Sequence, residues 1–531
     1  LYINDGTGHF TDRTVEAGLA SHHYGLGAAI GDLNNDGLVD IYVTNDFYTP
    51  DLMMVNDGTR GRGAVPHFTD IAQQAVRHTS YFSMGIDRAD YDNDGNPDLC
   101  VLDMTPGEHK LNKENMASMA PGQFDAMVAN GMGHQYMINT LQHNNGDGTW
   151  SELAQMAGVD RTDWSWAPLF VDVDNDGWKD LFVTNGIARD VGNNDFRDQV
   201  RKFTGASSKQ VAFEPLLELA PVHVPEKMVF RNAHDLTFTK AMDDWGYHQE
   251  TLSNGGTYAD LDLDGDMDLV TVNVNEPATV VRNLTRENGG GGYLQLVLTG
   301  DAKNPQGIGA SAELYSAGSM QVCDLFPARG YQGSVEPVLH FGVPDEHIDS
   351  VVITWPDGKQ TLLPAPARDQ RLMVDRSSLR ERPRAAHDTP LFSEVAAGVG
   401  LGLGHRENAF DEFVTESLLP HRQSAHGPAA GVADVDGDGL HDVFLTASAG
   451  SPCLLLLQTS SGRFAPARTQ PWALFRGSEF NGAHFFDADG DHDTDLYLAA
   501  GSTEFPSGDE RYRDRLFIND GHGAFAYAQD A

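Results

Sequence analysis

The sequence predicts an all-β protein: a series of β-propeller blades with an inserted or following small β domain. Three observations carry that prediction. An Asp-rich nonapeptide recurs six times along the 531 residues, a short strand-like run follows every copy, and a second strand–turn–strand unit alternates with the first.

The nonapeptide runs Asp32 to Asp40, Asp90 to Asp98, Asp172 to Asp180, Asp260 to Asp268, Asp434 to Asp442 and Asp487 to Asp495. Its pattern is D-x-[DN]-x-D-G-x-x-D, except that His492 replaces the glycine of the sixth copy. Apolar, β-branched or aromatic runs follow, such as Ile41-Tyr42-Val43, Leu181-Phe182-Val183 and Leu496-Tyr497-Leu498. Gly/Ala-rich stretches precede, such as Gly27-Ala28-Ala29-Ile30-Gly31. Each copy therefore joins two strands. The alternating unit is typified by Leu1 to Asp12 and Leu516 to Phe525, with others at Leu52 to Asp70, Met137 to Leu153, Met228 to Phe238 and Leu454 to Phe464. Two hairpins per repeat make a four-stranded unit of roughly 45–90 residues, the strand count of a blade.

Two segments break the rhythm. Residues from Pro106 to Gly133 have no Asp loop and a helical composition. A longer break starts at Gly289-Gly290-Gly291-Gly292, read as a flexible joint. The expected organisation is blades over 1–288, a small β domain over 289–378, an Arg/Pro/Ala-rich linker over 379–390, and further blades over 391–531. The last segment either starts a second propeller or completes one interrupted by the insert. The sequence begins at Leu1 inside a repeat with no signal peptide, so it reads as part of a longer chain.

The formal net charge is −41, from 77 acidic and 36 basic residues. Without a Lys/Arg run this opposes nucleic-acid binding. No apolar run reaches the length of a spanning helix, about 18 residues. The three cysteines, Cys100, Cys323 and Cys453, form no CxxC pair, and Cys100 and Cys453 read as buried thiols.

The nonapeptide suits calcium, which takes six to eight hard oxygen ligands in flexible geometry. Positions 1, 3, 5 and 9 supply carboxylates or an amide, position 7 a backbone carbonyl, and Gly at position 6 the positive φ of a sharp turn. The candidate ligands are Asp32, Asn34, Asp36 and Asp40; Asp90, Asp92, Asp94 and Asp98; Asp172, Asp174, Asp176 and Asp180; Asp260, Asp262, Asp264 and Asp268; Asp434, Asp436, Asp438 and Asp442; and Asp487, Asp489, Asp491 and Asp495. An EF-hand is excluded: position 12 is Val43, Val101, Val183, Thr271, Leu445 or Leu498, where that motif needs Glu, and strands flank the loop. Six divalent ions would offset twelve of the 41 net negative charges. Five or six structural Ca²⁺ ions are expected, in a compartment rich in calcium: extracellular, cell-surface or periplasmic.

The Asp-loop repeats resemble the FG-GAP/VCBS repeats of integrin-α-like propellers. The segment from Leu294 to Val374 resembles the ASPIC/UnbV domain through Asn304-Pro-Gln-Gly307-Ile308-Gly309-Ala310, Arg329-Gly330-Tyr331-Gln332-Gly333-Ser334, Leu339-His340-Phe341-Gly342 and Trp355-Pro356-Asp357-Gly358. This pairing is similar to the cartilage acidic protein family and to large bacterial surface proteins. Thr162-Asp163-Trp164-Ser165-Trp166-Ala167-Pro168 and His405-Arg406-Glu407-Asn408 share that likeness. The resemblance implies architecture and names no ligand.

No GxSxG, HExxH, P-loop or GxGxxG context is present, so no catalytic residue is assigned. His22, His23 and His143 read as solvated turn residues, Trp164 and Trp166 as packing, and Arg329 and Tyr331 as parts of a turn. Three functions follow in order. The first is a binding or adhesion scaffold for a protein or glycan. The second is an extracellular polymer-acting enzyme with calcium as a structural ion, which would need a deep acidic pocket away from the Asp loops. The third is a structural component of a surface assembly.

Overall fold

The computed structural model of the chain describes residues 1–58, 65–115, 121–205, 216–378, 381–383, 394–414, 416, 424 and 427–529. Its contacts divide it into two compact units, Leu1–Asp388 and Thr389–Ala531. Most of the predicted linker, 379–390, lies outside the described residues.

The blades are antiparallel meanders with strands hydrogen-bonded in chain order. The first contains Gly25–Gly31, Asp40–Asn45, Leu52–Asn56 and Phe68–Asp70. The second contains Ile86–Ala89, Asp98–Val101, Thr140–Asn144 and Trp150–Glu152. The third contains Asp163–Val171, Asp180–Asn185, Met228–Asn232 and Phe238–Lys240, with Met104–Thr105 added at its inner edge. The fourth has Ser253–Ala259, Asp268–Asn273 and Thr279–Val281. A hairpin of Tyr2–Asn4 and Phe10–Asp12 precedes them. The second unit holds a fifth blade, Ala430–Ala433, Asp442–Leu445, Leu454–Gln458 and Phe464–Pro466. Its sixth is Phe480–Phe486, Asp495–Ala500, Arg515–Ile518 and Ala526–Tyr527.

Strand alternation explains why the runs after the Asp loops are apolar throughout. Side chains on a strand point alternately to opposite faces. Leu99 and Val101 enter the core shared with Tyr42 and Met53 of the first blade. Cys100 and Leu102 enter the core shared with Phe170 and Phe230 of the third. A blade between two others buries both faces. Each fully buried Leu or Phe contributes about 1.5–3 kcal/mol. Cys100 and Cys453 are both buried.

The segment from Gly292 to Pro383 forms two sheets over one core containing Leu294, Leu296, Ile353 and Trp355. Gly292–Thr299 pairs antiparallel with Leu339–Val343 and parallel with Gln370–Asp375. The other sheet orders Ser319–Asp324, Ser311–Ser316, Ser350–Thr354, Lys359–Pro364 and Glu381–Pro383. This segment packs on the blades within the same compact unit. The four-glycine run at its start is not the loose joint expected. A Cβ on Gly291 would lie 2.0 Å from the Asn175 carbonyl oxygen, and one on Gly290 would lie 2.8 Å from that of Thr285. These glycines permit close backbone approach.

The Pro106–Gly133 break contains helices His109–Asn115 and Pro121–Ala129. A third helix, Asn194–Gly205, interrupts the third blade. These insertions lie at the blade ends opposite the Asp loops, because each loop joins the first two strands of its blade.

Candidate metal centres

All six Asp loops share one hydrogen-bond scheme. The position-9 carboxylate accepts from the backbone amide of position 2 and from an amide at the end of the blade's third strand. Asp180 accepts from Val173 N and Asn232 N, both at 2.9 Å. Asp40, Asp98, Asp268, Asp442 and Asp495 repeat this with Asn56, Asn144, Asn283, Gln458 and Asn519. The position-5 carboxylate accepts from the position-7 amide in every copy: Asp36, Asp94, Asp176, Asp264, Asp438 and Asp491. These bonds turn the chain inward, and the carboxylates turn with it.

The position-1 carboxylate differs between the units. Asp32, Asp90, Asp172 and Asp260 accept from the amides of positions 5 and 6. Asp434 and Asp487 accept from positions 4 and 6. Position 4 is left-handed throughout, at φ 59° in Asn35, 59° in Asn93, 57° in Asn175 and 64° in Leu263, whereas the second unit has Gly437 and Gly490 there. His492 adopts φ 76° at position 6, the strain expected of a residue replacing glycine.

The position-4 asparagines link successive loops. Asn35 Nδ2 donates to Gly95 O at 3.1 Å, Asn93 Nδ2 to Gly177 O at 3.0 Å, and Asn175 Nδ2 to Gly265 O at 3.2 Å. The third-strand asparagines add a second tie to the preceding blade. Asn144, Asn232, Asn283 and Asn519 donate to the carbonyls of Leu33, Tyr91, Val173 and Val435.

Carboxylates gather tightly in the middle loops. One oxygen from each of Asp90, Asp92 and Asp98 falls within a 4.8 Å group, as do those of Asp172, Asp174 and Asp180, and of Asp260, Asp262 and Asp264. Asp174 Oδ1 and Asp266 Oδ1 are buried without a hydrogen-bond partner. Burial pushes Asp172 and Asp98 up to about 7. It also raises Asp90 and Asp180, with neighbouring carboxylates adding to the effect. Acceptor oxygens converging with too few donors are the donor set a hard cation needs, so these residues fit calcium.

Cationic side chains approach the same three loops. Arg231 Nη2 lies 2.9 Å from Asp174 Oδ2, and Arg282 contacts Asp262 at 2.5 Å and Asp264 at 3.2 Å. His143 is not a solvated turn residue: its Nδ1 sits 3.4 Å from both Asp92 and Asp98. All three immediately precede the third-strand asparagine, where the other loops have Val55, Leu457 and Ile518. That shared position was the signal available in the sequence.

Arg329 is a clamp. Its guanidinium is bidentate to Asp87 at 2.6 and 2.7 Å and also donates to Tyr258 Oη and Arg88 O. Gly330 exchanges backbone hydrogen bonds with Ile86. Trp166 packs on Tyr331, centroids 4.9 Å apart, and donates to Gly186 O. Trp164 instead lines a cavity of about 230 Å³ at the end opposite the Asp loops, with Phe47, Phe82, Asp163, Asp190 and His223. His223 Nε2 contacts Asp163 Oδ2 at 2.9 Å, and Asp190 Oδ1 is buried and unpartnered. Sequence reasoning missed this cavity because its walls combine blade strands with segments that break the repeat.

The fold and loops define an FG-GAP-repeat β-propeller protein with an ASPIC/UnbV domain. Residues 300–381 match the ASPIC and UnbV family, and residues 1–43, 122–183 and 434–498 match the FG-GAP-like repeat. The chain is similar to cartilage acidic protein 1 of Homo sapiens, 24% identical over 66% of this chain and 43% of that protein. The Xenopus tropicalis protein of that name is 26% identical over 65% of this chain and 44% of its own length. The chain thus spans less than half of these relatives. The V. cholerae biofilm matrix protein Bap1 aligns over 96% of this chain and 88% of its own at 11% identity, with a TM-score of 0.20. Among the described residues, no helix is long and apolar enough to cross a membrane.

Proposed function

We propose that this chain is an extracellular, non-catalytic scaffold in which calcium ions bind the six Asp loops and hold the blades for recognition of a protein or glycan. The convergence of carboxylates in the second, third and fourth loops, with Asp90, Asp98, Asp172, Asp180 and Asp260 buried, carries the reading. The side chains at positions 1, 3, 5 and 9 would hold each ion, and its charge would offset the repulsion that burial imposes. The inter-loop asparagines would then spread the stabilisation from blade to blade. The cavity beside Trp164 supports recognition at the opposite end, where insertions vary the surface without disturbing the loops.

The test is thermal unfolding in calcium and in excess chelator, with metal analysis of the purified chain. Five or six bound ions and a large loss of stability on chelation are expected. A saturated site contributes about 2.7 kcal/mol when calcium is a hundredfold above its dissociation constant. No bound calcium and no shift would overturn the reading.

A further inference from the structure

The second unit contains a group of acids that the Asp loops do not explain. Glu479 precedes the inner strand of the sixth blade, Phe480–Phe486, and Glu504 follows the next strand, Asp495–Ala500. Both therefore lie at the end of the blade opposite its Asp loop. Gly501 N donates to Glu479 O at 3.1 Å and closes the strand pair there. The segment His405-Arg406-Glu407-Asn408 crosses to the same place. Ser448 Oγ, in the fifth blade, donates to Arg406 O at 2.7 Å, and Asn408 Nδ2 donates to Glu504 Oε2 at 2.9 Å.

Glu479 is 1% exposed, and neither of its carboxylate oxygens has a hydrogen-bond partner. Glu407 Oε2, Glu504 Oε1 and Asn481 Oδ1 are also shielded from solvent and unpartnered. Glu407 and Glu504 lie close enough for their charges to bear on Glu479. A Cβ built on Gly427 would lie 3.7 Å from Asn481 Oδ1 and 3.9 Å from Glu407 Oε1, which brings those atoms to one side of the group.

The neighbouring donors are committed elsewhere. His405 Nε2 contacts Glu407 Oε1 at 2.5 Å, leaving Oε2 unpartnered. Arg511 is bidentate to Asp509 at 2.8 and 2.7 Å. Thr503 Oγ1 and Ser424 N donate to Glu412 Oε2, at the border of the group. Ser502 Oγ accepts from Glu504 N at 3.2 Å and has only its single hydroxyl proton to offer Glu479, too little for two carboxylate oxygens.

Five buried oxygens that can only accept, from three carboxylates and one amide, need a partner that brings positive charge and no acceptors. We propose that Glu479, Glu407, Glu504 and Asn481 form a separate calcium site, built from glutamates of three segments and independent of the Asp loops. Oxygen-only ligands in a pocket assembled from distant segments match calcium's demand for many oxygens without strict geometry.

The test counts bound calcium in the full chain, by elemental analysis after gel filtration in calcium, for wild type, Glu479→Gln and Glu504→Gln. Each variant is expected to hold one ion fewer than wild type. If the Asp loops hold no calcium, wild type would hold one and the variants none, so the two proposals fail separately. Equal counts in wild type and both variants would overturn the site. Unfolding in chelator guards against misfolding. There Glu479→Gln is expected to melt at or above the wild-type temperature, since it removes a repelling charge, and below it in calcium. A variant that melts lower in chelator as well would also overturn the site, because the carboxylate would then hold the protein together without an ion.

Discussion

The Asp loops of the second and third blades and those of the fifth and sixth carry one nonapeptide in two settings. Asp90 and Asp172 are buried, whereas the sixth loop exposes Asp487, Asp489 and Asp491 to solvent. In the first unit a left-handed asparagine ties each loop to the next, and an Arg or His leans on the acids. In the second unit position 4 is glycine and the residue before the third-strand amide is Leu457 or Ile518. The position-9 pin is the same in both. The pin therefore belongs to the hairpin, and the setting belongs to neighbours. The loop's motif specifies its own turn; what lies around it decides how much the protein depends on the ion.

The sharpest way to break that comparison is to remove the pin in both settings. Asp180→Ala strips one buried and one half-buried amide, Asn232 N and Val173 N, of their acceptor, each costing about 1–3 kcal/mol. A loss of about 2–6 kcal/mol is expected in urea unfolding in chelator, and a larger loss in calcium, because Asp180 is also a proposed ligand of the ion. Asp495→Ala removes the equivalent bonds to Ala488 and Asn519, but Ala488 is exposed and water replaces its partner. About half the loss is expected. Equal losses would show that burial of the loop carries no energetic weight.

A pH effect separates loop acids from acids buried for other reasons. Asp51 sits in the first unit, away from the loops, and burial pushes it up to about 7 even though Asn45 N, Ser83 Oγ and Tyr42 Oη donate to it. In the unfolded chain it titrates near its ordinary value, about 3.9. The folded state thus keeps the proton longer. Its contribution is complete below about pH 4 and is lost as pH rises to about 7. Wild type is expected to weaken between about pH 4 and pH 7 with or without calcium, and Asp51→Asn to weaken less. A pH slope unchanged by the substitution would assign the whole effect to other acids.

The blades were legible because their signals are local. Asp32 to Asp40 and its five relatives name a turn by spacing, and the apolar runs after them name strands. The two-face burial of Leu99 to Leu102 follows from the run being continuous. What stayed hidden depends on distant residues. Glu479 and Glu407 are 72 positions apart in sequence and meet through the ends of two blades. The cavity by Trp164 draws on blades and insertions alike. Arg329 resembled a turn residue because its partner, Asp87, lies 242 positions away. The four glycines before Tyr293 read as freedom of motion, whereas Gly291 is held against Asn175 and Gly290 against Thr285.

The smallest expected effect tests the finest distinction between the two settings. Arg231 occupies the acid loop of the third blade as a tethered cation, and a calcium ion entering there must compete with it. Its side chain is 42% exposed, so its pairing with Asp174 is weak, within the range of about 0.2–1 kcal/mol for such pairs. Arg231→Gln should therefore raise calcium affinity at one class of sites by no more than about fivefold, read by calorimetric titration. It should leave stability in chelator lower, since the acids lose their internal counter-charge. Ile518→Arg, which places the same charge beside the sixth loop, should act in the opposite sense. Should both substitutions leave affinity unchanged, the cation before the third-strand asparagine would be a bystander, and the depth of the loop alone would distinguish the two regions.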